Sequence, residues 1–149
     1  MEQISPRFEY YKLESDITAK NAQVLNTMRE VTLVSVTEQI RRAAALYNLA
    51  VDMFDQGGSI QSVFEDKTEL IPLFYQPSDD EPSVSLTVNI NKETAELFKK
   101  LGVNSNNNDT FVLDNVIHHY HVITDKYLSG HKIITESSSG VKREMELLI

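Results

Sequence analysis

The chain has 149 residues, 41% hydrophobic and 24% charged, which suits one compact globular unit. Fourteen Lys+Arg against twenty-two Asp+Glu leave a net charge of −8, which argues against a generic polyanion binder of the cationic kind. Cysteine is absent, which excludes a disulfide framework, a thiol nucleophile and a Cys-based zinc site.

In chain order, Met1-Glu2-Gln3-Ile4-Ser5-Pro6 has neither a basic region nor an apolar core, so no signal peptide is expected. No apolar run approaches the ~20 residues of a membrane span. The expectation is a soluble, cytoplasmic protein. Tyr11-Lys12-Leu13-Glu14-Ser15-Asp16-Ile17 alternates well enough to predict a strand, with Ser15 where an apolar residue belongs. Tyr10 and Tyr11 read as strand-flanking or core residues. Val24, Leu25 and Met28 mark one face of a first helix. Ile40, Ala43, Ala44, Tyr47, Val51 and Phe54 mark a longer second one. Ser35-x-x-Glu38 fits a capping box before that second helix. Gly57-Gly58 ends it, and a hairpin over Ile60 to Phe74 comes next, turning at Glu65-Asp66-Lys67. Gln76-Pro77-Ser78-Asp79-Asp80-Glu81-Pro82 is an acidic, proline-bounded linker.

The same series then recurs. Val84-Ser85-Leu86-Thr87-Val88-Asn89-Ile90 alternates strictly and predicts a half-buried strand. Leu97, Phe98 and Leu101 answer the first helical face. Leu113, Val116, Ile117, Tyr120, Thr124 and Tyr127 answer the second, beyond a polar Asn104-Ser105-Asn106-Asn107-Asn108 connector. Asp109 reads as the N-cap of this helix. Gly130 and a hairpin from Ile133 to Ile149 complete the series, turning at Ser139-Gly140. Two extra residues in that turn would match Glu69-Leu70 with Glu144-Met145. An offset of 73 positions aligns residues 11–60 with 84–133 without gaps. It gives identities at Leu13/Leu86, Ile17/Ile90, Ala22/Ala95, Thr37/Thr110, Tyr47/Tyr120, Asp52/Asp125, Gly57/Gly130 and Ile60/Ile133. The preserved periodicity is the stronger sign of an internal duplication. Residues 1–75 form the first repeat, 76–83 the linker and 84–149 the second, joined into one domain.

A lone strand with two helices leaves both strand edges unpaired and makes a poor core. Two such units resolve both problems if their strands pair antiparallel and their helices interlock. The predicted fold class is therefore α+β: an intramolecular pseudo-dimer with a two-stranded ribbon, four helices and a C-terminal hairpin on each half. Ser35-Val36-Thr37-Glu38-Gln39-Ile40-Arg41-Arg42-Ala43-Ala44-Ala45-Leu46-Tyr47 resembles the second helix of ribbon-helix-helix proteins of the Arc and methionine-repressor type. Ser85-Leu86-Thr87-Val88-Asn89-Ile90-Asn91-Lys92-Glu93-Thr94-Ala95 is similar to that family's strand and the opening of its first helix. The resemblance covers nearly the whole chain apart from residues 1–8 and the linker. It implies a DNA-binding transcriptional regulator whose ribbon enters the major groove and whose second-helix N-termini hold phosphates. On that resemblance, Lys12, Glu14, Asp16, Ser85, Thr87 and Asn89 face the bases. Ser35 and Thr110 lie at the helix starts, and Arg41 contacts phosphate with Arg42 beside it. Because the two strands differ, the DNA site would be asymmetric.

The charges support a second reading. Glu14 and Asp16 would face duplex DNA, which carries one negative charge per ~1.7 Å of axis. Asp114 and Asn115 stand in half two where half one has Arg41 and Arg42. Each half carries seven basic and eleven acidic side chains, so neither is a hidden basic domain. A ribbon-helix-helix scaffold with little DNA binding, acting on a protein partner as a monomer or homodimer, is the alternative. His118 and His121 lie one helical turn apart, but only Asp125 offers a ligand at four-residue spacing, so no metal and no cofactor are expected. A pH-responsive interface is an equal use for the histidines. Phosphate-loop, nucleophile-elbow and His-Glu-x-x-His patterns are missing, and no enzyme activity is expected.

Overall fold

The computed structural model describes residues 10–75, 83–101 and 109–147. Most of the acidic linker, the Asn104–Asn108 run and residues 1–8 lie outside these. The described chain is mixed α+β, with four helices and two small antiparallel sheets. Half one runs through β1 (Tyr10–Ile17), α1 (Ala19–Thr32), α2 (Val36–Asp55), β2 (Ser59–Phe64) and β3 (Lys67–Leu70). Half two runs through β4 (Val84–Asn91), α3 (Lys92–Lys100), α4 (Asp109–Leu128), β5 (Lys132–Glu136) and β6 (Lys142–Met145). The order of elements is the same twice.

Among the described residues β1 and β4 pair only with each other, Lys12 opposite Asn89, Glu14 opposite Thr87 and Asp16 opposite Ser85. Glu14 and Thr87 are also equivalent positions at the 73-residue offset, so exchanging the halves maps this register onto itself. The same is true between β2 and β5, where Gln61 faces its own equivalent, Ile134. Each of these two registers is thus matched to itself by exchange of the halves, the pattern an isologous contact requires. The β2–β5 pairing goes beyond the expected pair of separate hairpins. It joins them into one sheet, in the order β3-β2-β5-β6.

The hairpin turns correct the expected match between halves. Glu65 and Asp66 close the first turn, with Phe64 opposite Lys67 and Glu65 at φ +55°. Ser138, Ser139 and Gly140 close the second. Ser137 N–H donates to the Val141 carbonyl (2.9 Å), and Gly140 sits at φ +85°. The second turn is one residue longer, not two. Leu70 opposite Gln61 therefore matches Glu144 opposite Ile134, and Glu69 matches Arg143.

The core lies where α2 and α4 meet beneath the ribbon. Ile40, Ala43, Ala44, Tyr47 and Ala50 of α2 are buried with Leu113, Val116, Ile117, Tyr120 and Ile123 of α4. The alanines let the helices approach closely, and each fully buried Ile or Leu contributes roughly 1.5–3 kcal/mol. Leu13, Val88 and Ile90 close the core from the inner ribbon face, with Leu25 and Phe98 from α1 and α3. Phe54, expected in this stripe, is 62% exposed, because the last turn of α2 runs past the packed region.

Local chemistry sets the ends of the elements. Thr18 and its equivalent Asn91 cap α1 and α3, accepting from Asn21 N–H (3.2 Å) and Thr94 N–H (2.8 Å). Ser35 caps α2 by accepting from Glu38 N–H (3.1 Å). The reciprocal half of the expected capping box is missing, because the Glu38 carboxylate turns to Arg41 and Arg42. Asp109, expected as a cap, is the first residue of α4. Gly57 (φ +82°) and Gly130 (φ +95°) end the long helices in the left-handed region. From β3 the chain returns along α4. Leu73's carbonyl accepts from Tyr47 Oη–H (2.9 Å) and Asn115 Nδ2 (2.8 Å), and Tyr75 N–H donates to Asn115 Oδ1 (3.0 Å).

Gly58 is a test of the junction between α2 and the four-stranded sheet. A Cβ there would lie 2.5 Å from the Glu136 carbonyl oxygen and 3.1 Å from the Met53 carbonyl. Both obstacles are backbone and cannot rotate away. Gly58→Ala should lower the unfolding free energy by about 1–3 kcal/mol, read from urea denaturation at constant slope.

Candidate functional site

The ribbon presents two different faces. Lys12, Glu14, Asp16, Ser85, Thr87 and Asn89 are all exposed on the outer one. Alternation therefore places the six outward residues as expected, and the antiparallel register brings them together in three opposed pairs. Lys12 and Asn89 form one end, Asp16 and Ser85 the other. The Lys12 ammonium meets the Glu14 carboxylate at 2.9 Å. One lysine against Glu14 and Asp16 leaves this face at −1.

The helix-start residues divide. Ser35 is exposed at the α2 N-terminus, where its hydroxyl caps the first turn. Thr110 lies in the first turn of α4, and its side chain is outside the described part of the molecule. Arg41 and Arg42 are both engaged by one carboxylate, each Nε lying 2.8 Å from a Glu38 oxygen. The Arg41 hydrogen bond, foremost, holds the Glu38 carboxyl down to about 2, and Arg42 adds to it. Glu93 at the start of α3 also acts on Arg41.

Several structural roles are invisible in the sequence. Asp114, the equivalent of Arg41, accepts from Thr18 N–H (3.0 Å) and Thr18 Oγ1 (3.1 Å), pinning the end of β1 to α4. Asn115, the equivalent of Arg42, donates to the Tyr47 hydroxyl (2.9 Å). At the reciprocal position Arg42 hydrogen-bonds Tyr120. The acidic and amide residues of half two that lowered its apparent affinity for phosphate are thus structural anchors. Only their mismatch between repeats signals this.

Among the described residues no group of three or more His, Asp or Glu side chains is placed to hold an ion. His118 packs edge-on against Tyr75, with ring centroids 4.4 Å apart. Burial pushes the Tyr75 phenol up to about 12. His119 is 0% exposed, edge-on to Tyr47 at 5.0 Å, and neither ring nitrogen has a hydrogen-bond partner. Among the described residues no helix is long and apolar enough to cross a membrane.

No family model, curated protein or solved structure matches this chain.

His119 gives a prediction with a defined pH window. Burial lowers its pKa from 6.5 to about 4. The unfolded chain takes up the proton first as pH falls, so stability present above pH 6.5 is lost on the way down to pH 4. The shift corresponds to about 3 kcal/mol, and burial of His118 and His121 acts in the same direction. Glu38 weakens the fold only at lower pH, between 4.5 and about 2. Urea midpoints measured from pH 7 to 4.5 should therefore fall, and His119→Phe should flatten that slope.

Proposed function

We propose that this chain binds duplex DNA through the β1–β4 ribbon, as a ribbon-helix-helix pseudo-dimer made from one polypeptide. The observation that carries this reading is the uncovered outer face of the ribbon. Six polar side chains stand free of the core while the opposite face is packed on the helices. A two-stranded ribbon of this width fits the major groove, where asparagine pairs with adenine and lysine with guanine. The pairing of Lys12 with Asn89 at one end and Asp16 with Ser85 at the other makes the recognised site asymmetric. Asp16 would accept from cytosine N4. As a regulator of transcription, the protein would bring both half-site readers in one molecule.

A second reading, a scaffold that acts through protein contacts, is favoured by one observation. The two arginines nearest the α2 start are held by Glu38, and the ribbon face itself carries −1. Little cationic charge is left there for phosphate.

The test is enrichment from a randomised duplex pool at low salt, followed by anisotropy titration of the enriched duplex. The DNA reading expects affinity that falls as salt rises from 50 to 200 mM, through release of counterions (about one per phosphate contacted). Asn89→Ala should cost about 1–3 kcal/mol at one end of the site and leave the salt slope unchanged. Absence of any enriched duplex at low salt leaves the scaffold reading.

A further inference from the structure

The repeat symmetry breaks at the sheet end of the molecule, and the break has a chemical sense. On one side α4 lies against the β2–β3 hairpin, and Lys126 of α4 meets Glu69 of β3 at 3.5 Å. The equivalent place on the other side lies between α2 and the β5–β6 hairpin. There Met53 occupies the position of Lys126, and Arg143 the position of Glu69. The Lys126–Glu69 pair therefore has no counterpart at these two positions. This side is an open cleft of about 530 Å³ whose lining includes Leu49, Met53, Val141, Arg143 and Met145, together with Glu144, whose carboxylate is paired with Lys132 at 4.0 Å. Leu49 is 41% and Val141 52% exposed, so apolar surface is left uncovered at its mouth. Among the described residues no carboxylate is in ion-pair contact with Arg143, although the whole chain carries −8.

We infer that this cleft docks a peptide segment of another protein, one bearing a carboxylate flanked by apolar side chains. The apolar side chains lie on Leu49, Met53 and Met145, and the carboxylate pairs with Arg143. The fold already holds a template for the charge contact in its other half, where Glu69 and Lys126 join hairpin to helix. A purely apolar peptide would leave the Arg143 guanidinium partly desolvated without a partner, and a basic one would be repelled. An Arg fork, with five donors, suits a carboxylate better than a lysine would. The ribbon is tied to the N-terminal third of α4 through Asp114, whereas this sheet grows from the C-terminal ends of the long helices. The docked segment and the ribbon's outer face are therefore used independently, and the inference stands whether or not the ribbon binds DNA.

The experiment is selection of random twelve-residue displayed peptides on the full chain, followed by titration of the enriched peptides as synthetic, labelled probes. The expected consensus is an Asp or Glu between apolar residues. Arg143→Gln should weaken these probes about tenfold, the scale of an interfacial charge pair. The double variant Met53→Lys with Arg143→Glu rebuilds the ion pair of the other side. It should keep the circular dichroism and thermal midpoint of the parent and lose probe binding. A selection that returns no binder, or a consensus without an acid, overturns the proposal, as does undiminished binding to both variants. So does a concentration-dependent dimer that the double variant abolishes, which would assign the cleft to a second copy of the chain.

Discussion

Everything in this fold hangs on the pairing of β1 with β4. Among the described residues neither strand has another neighbour, so the interstrand hydrogen bonds of the ribbon seen there come from the other half of the same chain. The pairing also orients the helices next to it in the chain. Thr18, immediately after β1, is both the cap of α1 and the donor to Asp114, so strand end, helix start and the partner helix are fixed at one point. Its register is fixed by burial. A slip of β1 by one residue would send Leu13 and Ile17 to water and bring Lys12 and Glu14 onto the helices, which the core cannot accept. Covalent linkage makes the encounter of the strands intramolecular, so the pairing does not depend on protein concentration.

Exchange of the halves leaves both β registers unchanged, yet many equivalent positions carry different side chains. Tyr47 and Tyr120 keep the same place, while their partners are an asparagine and an arginine. Arg41 is matched by Asp114, Met53 by Lys126, and Glu69 by Arg143. A dimer of identical subunits must use each residue twice, and a change suited to one environment is imposed on both. A chain that carries both halves in one polypeptide is free of that constraint. The core positions are held by packing, and the divergence falls on the ribbon face, the helix starts and the two hairpin clefts.

Charge obeys the same division. Glu38 gathers two guanidiniums at the start of α2, which locks that turn and lowers the cationic potential around it. In half two Asp114 does a structural task, pinning Thr18 to α4. Half-buried histidines beside a fully buried one couple this helix core to pH.

The alternation of Val84–Ile90, the three-and-four spacing of the helical stripes and the glycines after them were legible in one dimension, because each reports a local period or a local backbone requirement. The offset of 73 residues made the ribbon and its outward six residues legible too, since antiparallel pairing of equivalent strands comes from the need to cover their edges. The union of the hairpins into one sheet was not, because β2–β5 pairing joins segments some 70 residues apart and depends on how α2 and α4 cross. Nor was the exposure of Phe54, which shares the periodicity of the core but lies where the helix has outrun its cover. The parts played by Asp114, Asn115, His119 and Arg143 belong to tertiary structure alone: each is defined by what stands opposite it across the interface between the halves, or by what does not.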